Sequence, residues 1–128
     1  MTNEISESYE DYLKAIYLIS KKKKGGWVSN SEISDYLYIQ PASVSGMLHK
    51  LREHGLIIWE PRKSIRLTQK GKLIAEQVFK KSEKLREFFT EILGIDDDDL
   101  LDKLCCGIEH HITPEVAKAL DNLTTQNA

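Results

Sequence analysis

The sequence predicts a mostly α protein: two short helices joined by a tight turn, then a small β-hairpin, then further helices. Three observations carry that reading. Apolar residues recur at three- and four-residue spacing along most of the chain. Two short apolar runs, LIIWE at 56–60 and IRLTQ at 65–69, flank a proline-containing PRKS turn. Charge is also uneven. Residues 38–72 hold seven Lys or Arg against two Asp or Glu, whereas residues 73–128 hold six against twelve. A basic middle and an acidic second half point to two tasks, one of them with a polyanion.

The totals set bounds. A chain of 128 residues fits one domain, or a small domain with an appended element, and a second copy would help it bury apolar surface. No apolar run reaches the roughly 18 residues of a membrane span. The start, MTNEISESYEDYL, lacks the layout of a signal peptide, so a cytoplasmic protein is expected. The only two cysteines are adjacent, which suggests reduced thiols rather than a disulfide framework.

Taken in order, ESYEDYLKAIYLIS at 7–20 places Tyr9, Tyr12, Leu13, Ile16, Tyr17 and Ile19 at helical spacing, a first helix with one apolar face. KKKKGG at 21–26 stops that helix, its lysines suiting a helix C-terminus and most simply read as a solvated loop. SNSEISDYL at 29–37 reads as a second helix, with Ser31 at the cap or first turn and Ile33 and Leu37 inward. YIQ turns the chain. Pro41 suits a first helical position, Val44, Met47, Leu48 and Leu51 share a face, and Gly55 ends the third helix. Two short helices about a three-residue turn form a helix-turn-helix, and the following hairpin makes it winged. Thr68 caps a long helix expected over 69–93 and closed by Gly94. The aspartates at 96–99 suit the start of a helix expected over 97–111. Thr113, Pro114 and Glu115 open a last helix to about residue 123, with a frayed tail after it. The division expected is a winged helix-turn-helix domain at 1–72 and a helical domain at 73–128, for which the later segments suggest metal binding and dimerisation.

A recognition helix presents short polar side chains at its N-terminal end to base edges. Gln40, Pro41, Ala42, Ser43, Ser45 and Gly46 occupy that end here. Serine hydroxyls bond to several bases and Ala42 suits a thymine methyl, so modest base specificity with much shape and phosphate readout is expected. His49, Lys50 and Arg52 further along the helix, and Arg62 and Lys63 at the wing tip, are the expected phosphate contacts. The bland alternative, solvated charge on a helical protein, does not account for the ordered helix, turn, helix and wing. One helix-turn-helix reads a short half-site, so a homodimer on double-stranded DNA is expected. Leu73, Ile74, Val78, Leu85, Phe88, Phe89, Ile92 and Leu93 on the long helix are candidates either for a dimer interface or for ordinary core.

CCGIEHH at 105–111 is dense in reactive side chains. On a helix Cys106, Glu109 and His110 fall at i, i+3 and i+4, on one side, while Cys105 and His111 lie about 100° round. Thiolate, carboxylate and imidazole together suit a first-row divalent metal better than calcium or magnesium. A fourth ligand would come from elsewhere, and the first helix offers Glu7, Glu10 and Asp11. Other readings stay open: a buried cysteine as a small hydrophobe with a hydrogen-bonded Glu–His pair, or a Cys–His nucleophile lacking an oxyanion hole. A bridge between the adjacent cysteines would be strained.

The segments YEDYLKAIYLI at 9–19, QPASVSGMLHKLREHGLI at 40–57, LTQKGK at 67–72, TEILGI at 90–95 and CCGIEHHIT at 105–113 resemble, in order and spacing, the diphtheria toxin repressor family of metal-dependent transcriptional regulators. Within it they resemble the short manganese transport regulators, which lack a C-terminal SH3-like domain. The resemblance implies a winged helix-turn-helix joined to a helical dimerisation domain. It implies metal ligands at Asp11, Cys106, Glu109 and His110, a hybrid set: Asp11 is the manganese-type choice and Cys106 the iron-type choice. The manganese-type glutamate one turn after the aspartate is Lys14 here, and the long-helix histidine is Ser82. A second metal site would have to draw on Glu83, Glu87 or Asp102.

The expected function is thus a non-enzymatic, metal-dependent DNA-binding repressor controlling iron or manganese homeostasis genes, with Fe(II) or Mn(II) bridging the first and fifth helices. The alternative is a winged-helix regulator sensing a small ligand or thiol oxidation without metal.

Overall fold

The computed structural model describes residues 6–60 and 64–126, which form two compact units, Met1–Glu76 and Gln77–Ala128. In the first unit, helices α1 (Glu7–Lys21), α2 (Asn30–Leu37) and α3 (Pro41–Glu53) precede strands β1 (Ile57–Trp59) and β2 (Ile65–Leu67) and the start of α4 (Gln69–Glu87). The second unit holds the rest of α4, a π turn at Phe88–Ile92, α5 (Asp98–Ile108), a 3-10 turn at Glu109–His111, and α6 (Pro114–Gln126). The expected winged helix-turn-helix, small hairpin and helical second part are all present.

Each helix of the first unit turns its apolar stripe inward. Leu13 and Ile16 of α1, Ile33 of α2, and Val44, Leu48 and Leu51 of α3 are wholly buried, together with Val28, Leu56 and Ile65. The strands pair antiparallel with Ile57 opposite Leu67 and Trp59 opposite Ile65. Val28 adds a bridge to Ile65, giving and taking one backbone hydrogen bond at 2.8 and 2.7 Å. A three-residue hairpin is marginal in water, and this bridge with the burial of Ile57 and Ile65 anchors it.

The start of α2 is fixed by a capping box. The Ser29 hydroxyl accepts from the Glu32 N–H at 3.1 Å, and the Glu32 carboxylate accepts from the Ser29 N–H at 2.9 Å. Ser29 rather than Ser31 is therefore the cap, and Ser31 lies in the first turn. Lys23, whose ammonium donates to Glu32 at 2.7 Å, and then the Ser29 N–H hold the Glu32 carboxyl below its ordinary range. A lowered folded-state value means stability present above the unfolded value and lost as pH falls through the folded one, so this contribution disappears on acidification below the usual carboxylate range. Ser29→Ala is expected to lower stability by about 1 kcal/mol, read as a shift in urea midpoint at constant slope.

Tyr38 closes α2 in the left-handed conformation at φ 57°, with its N–H bonded to the Ser34 carbonyl. A non-glycine residue with that backbone is uncommon, and here it makes the tight turn into α3. Past α3, Gly55 takes φ 71° and Thr68 ties the base of the wing together. Its hydroxyl donates to the Gly55 carbonyl at 2.7 Å and accepts from the Gly71 N–H at 3.1 Å, which caps α4 as the sequence predicts.

The second unit departs from expectation in three details. The long helix is α only to Glu87 and then widens into the π turn, where Leu93 N–H reaches the Phe88 carbonyl at 3.2 Å. Such widenings are local and carry little sequence signal. α5 ends at Ile108, and Glu109–His111 tighten into a 3-10 turn. α6 continues to Gln126, past the tail read as frayed, because Thr124 is buried and its hydroxyl donates back to the Leu120 carbonyl at 3.0 Å. The core here is Leu85, Cys105 and Ile112, with Phe89, Ile108, Ala117 and Leu120 packed against it. The long-helix apolar residues split accordingly: Val78 and Leu85 are buried, while Leu73 and Leu93 are half exposed.

Candidate nucleic-acid interface and metal-ligating residues

α3 is built to offer one face to solvent. Val44, Leu48 and Leu51 pin it to the core, which leaves Pro41, Ala42, Ser43, Gly46, His49, Lys50 and Arg52 exposed, preceded by exposed Gln40. Gln40 sits at the N-cap without a side-chain cap, and its carbonyl takes the Ser43 and Val44 N–H groups at 3.0 and 3.2 Å, which leaves Ala42 N–H at the head of α3 because Pro41 has none. Helix N-termini of this kind suit a phosphate. Ser45 is half buried, and its hydroxyl accepts from the Asn30 amide at 2.8 Å, a tie between α2 and α3. At the other end of α3, His49 and Arg52 meet Trp59 of β1. Arg62 and Lys63 lie outside the described residues.

The metal-ligating candidates fall in both units. Asp11 lies on α1, half buried, in the first. Cys106, Glu109 and His110 lie in the second, at the C-terminal end of α5 and the turn after it. They straddle the boundary between core and solvent: Cys106 is exposed, His110 partly buried, and Glu109 has no exposed surface at all. The reason is the burial rhythm of this segment, Leu101, Cys105, Glu109 and Ile112, which draws Glu109 inward beside Cys105 and leaves Cys106 outside. Both cysteines are thiols, and Cys105 is a packed member of the apolar cluster.

A wholly buried carboxylate is costly unless hydrogen-bonded, paired or metal-bound, and a thiol, carboxylate and imidazole on consecutive turns are the donor types a first-row divalent ion takes. The donor chemistry therefore fits. Among the described residues, no group of three or more His, Cys, Asp or Glu side chains is gathered closely enough to hold an ion. Of the second-site candidates, Glu83 and Glu87 are exposed one turn apart on α4. Asp102 accepts from Arg86 at 2.7 Å, and Asp98 accepts from the same guanidinium at 2.8 Å, so Asp102 has an arginine partner in place.

A helix-turn-helix with a solvent-facing third helix, a wing, and a separate helical unit carrying thiol, carboxylate and imidazole donors define a DNA-binding regulator of the winged class. The profile of the iron dependent repressor N-terminal DNA binding domain matches residues 4–65, and that of the iron dependent repressor metal binding and dimerisation domain matches residues 68–127. The chain belongs to this family of metal-dependent DNA-binding transcriptional regulators. It is 33% identical over 116 residues to an HTH-type transcriptional regulator of Methanocaldococcus jannaschii, covering 91% of each chain. It is 35% identical over 106 residues to the HTH-type transcriptional regulator MntR of Bacillus pumilus, covering 83% of this chain and 71% of that one. Among solved structures it is similar to the manganese regulator SloR, with TM-score 0.77, 26% identity, and 91% of this chain against 53% of that one. The crystal structure of T. acidophilum IdeR gives TM-score 0.75 and 27% identity, over 93% and 54% of the two chains. The chain thus spans about half the length of these solved relatives. No described helix is long and apolar enough to cross a membrane.

Sequence reasoning did not find Trp59 as a partner of α3, nor the burial of Glu109. The capping box was visible as Ser29-x-x-Glu32. The Trp59 contact had no local signal, because it joins a strand to a helix.

Proposed function

We propose that the chain is a homodimeric transcriptional repressor that binds double-stranded DNA when loaded with Fe(II) or Mn(II) and controls iron or manganese homeostasis genes in the cytoplasm. The observation that carries this reading is the order of matched parts: a DNA-binding domain with its third helix turned to solvent, followed by a metal-binding and dimerisation domain. Gln40, Pro41, Ala42, Ser43 and Ser45 serve base and shape readout, and His49, Lys50, Arg52, Arg62 and Lys63 serve the phosphates. Asp11, Cys106, Glu109 and His110 hold the ion. Bound there, it would supply a cross-link between α1 and the α5 turn and favour one DNA-competent arrangement of the dimer. Exposed Leu93, Leu100 and Val116 supply apolar surface for the second copy. Manganese regulation is a property of the relatives. In this chain the Cys106 thiolate leans toward Fe(II), and the carboxylates suit either ion. Affinity alone will not separate these from Zn(II), which tends to bind such sites more tightly.

Protein purified without chelator is expected to carry a divalent transition metal, and its DNA affinity in gel-shift titration is expected to fall on EDTA treatment and return with Mn(II) or Fe(II). DNA binding indifferent to EDTA would overturn the reading. It would instead favour a winged-helix regulator that senses a small ligand or thiol oxidation. That alternative has two footholds: the exposed Cys106 thiol, and a cleft of about 560 Å³ in the first unit whose lining includes Tyr17, Lys21, Ile58, Arg66, Leu67 and Lys72.

Arg62→Ala is expected to weaken binding about equally on every duplex and to lower the salt slope by about 1, as loss of one phosphate contact does. A change confined to one operator base would contradict that role.

A further inference from the structure

Trp59 is the last residue of β1, paired with Ile65 at the end of the hairpin next to the wing's turn, and is half buried. Two side chains from the C-terminal half of α3 meet its indole. The His49 ring stacks edge-on with centroids 4.7 Å apart at 68°, and the Arg52 guanidinium carbon lies 5.1 Å from the ring centroid. Arg52 Nη2 and His49 Nδ1 are 3.3 Å apart. A guanidinium has only donors, so His49 Nδ1 is the acceptor, and the proton of the neutral imidazole sits on Nε2, itself a donor.

From these contacts we propose that Trp59 is a positioning residue of the DNA interface: it locks the wing's first strand to the recognition helix and presents Arg52 and His49 as a paired donor set to backbone phosphate. The inference rests on the reading of α3 as the DNA-facing helix. Its physical basis is preorganisation. Arginine loses much rotamer freedom when a phosphate immobilises it, and here part of that loss is met during folding, by stacking on the indole. A cation over an aromatic face at a solvent-exposed site is also held without being neutralised, so its charge stays available to DNA. His49 and Arg52 are both exposed while their inner edges rest on Trp59.

The test is binding of the metal-loaded full chain to a labelled random-sequence duplex, by fluorescence anisotropy across a salt series. Trp59→Ala is expected to weaken binding about tenfold and to lower the salt slope by about 1, the share of Arg52, whereas Trp59→Phe, which keeps a ring face, restores most of both. In an Arg52→Ala/His49→Ala background, Trp59→Ala is expected to change affinity less than about twofold, because the groups it positions are gone. Full retention of affinity and slope in Trp59→Ala overturns the proposal. So does a tenfold loss that persists in the double-variant background, which would make Trp59 merely structural. Failure of the wild-type chain to bind any duplex would be a different result, since it overturns the DNA-binding reading itself.

Discussion

His110→Ala is expected to lower the gain in DNA affinity conferred by Mn(II) or Fe(II) by at least about tenfold, with the helical circular dichroism unchanged. Loss even of a group that only orients a metal ligand typically costs about 10- to 100-fold in metal affinity, and a ligand itself should cost no less. His110 is a clean position for this test because it lies at the edge of the core. Cys106→Ala is expected to behave in the same way, since the thiol is exposed and its removal leaves no cavity. Glu109 is different. It is wholly buried, so truncation would mix loss of a ligand with loss of packing. Glu109→Gln keeps the shape and removes the charge, and is the variant of choice there. Metal dependence unaltered in both His110→Ala and Cys106→Ala, in a gel-shift titration against metal, would sink the ligand assignment.

The second large effect concerns the fold that carries the interface. Gly71→Ala is expected to destabilise the first unit by about 3 kcal/mol, at the upper end for overpacking. A Cβ at Gly71 would stand 2.1 Å from the Leu56 carbonyl oxygen and 3.0 Å from its carbon. Both are backbone atoms, so no side chain can swing aside, and the start of α4 would have to move away from the base of β1. That base is where Thr68 N–H bonds to the same Leu56 carbonyl at 3.1 Å. Alanine's better helix propensity, about 1 kcal/mol, offsets only part of this. Gly107→Ala is the internal control: nothing lies within 4 Å of the Cβ it would add, so propensity alone acts and stability is expected to rise by up to about 1 kcal/mol. Urea unfolding of the two variants checks both signs. Equal midpoints for Gly71→Ala and the parent chain would contradict the clash.

The metal and fold predictions differ in how far the sequence could see them. Periodicity placed α1, α2 and α3 because each has one face to bury and one to expose, and that constraint is written residue by residue. Pro41, Gly55, Thr68, Gly94 and Thr113 marked the ends of helices because caps and stops are local chemistry. The π turn at Phe88–Ile92 and the tightening at Glu109–His111 have no such local cause, and both were read as plain helix. Gly71 gave no warning either. In the sequence it is one more glycine near a helix start, and only the approach of Leu56, fifteen positions earlier, makes it irreplaceable.

The same division runs through the functional residues. Residue type and spacing alone brought out the basic middle, the small polar side chains at the head of α3, and the thiol, carboxylate and imidazole of CCGIEHH. Those are properties of neighbours along the chain, and the order of the parts carried the family. The tertiary structure decided which of those side chains does which job. It turned Glu109 into the core and left Cys106 outside, tied the Ser45 hydroxyl to Asn30, engaged Asp102 with Arg86, and set Trp59 beneath His49 and Arg52. Each depends on a partner distant in sequence or on which side of a helix meets the core, and burial and pairing are settled only when the elements pack.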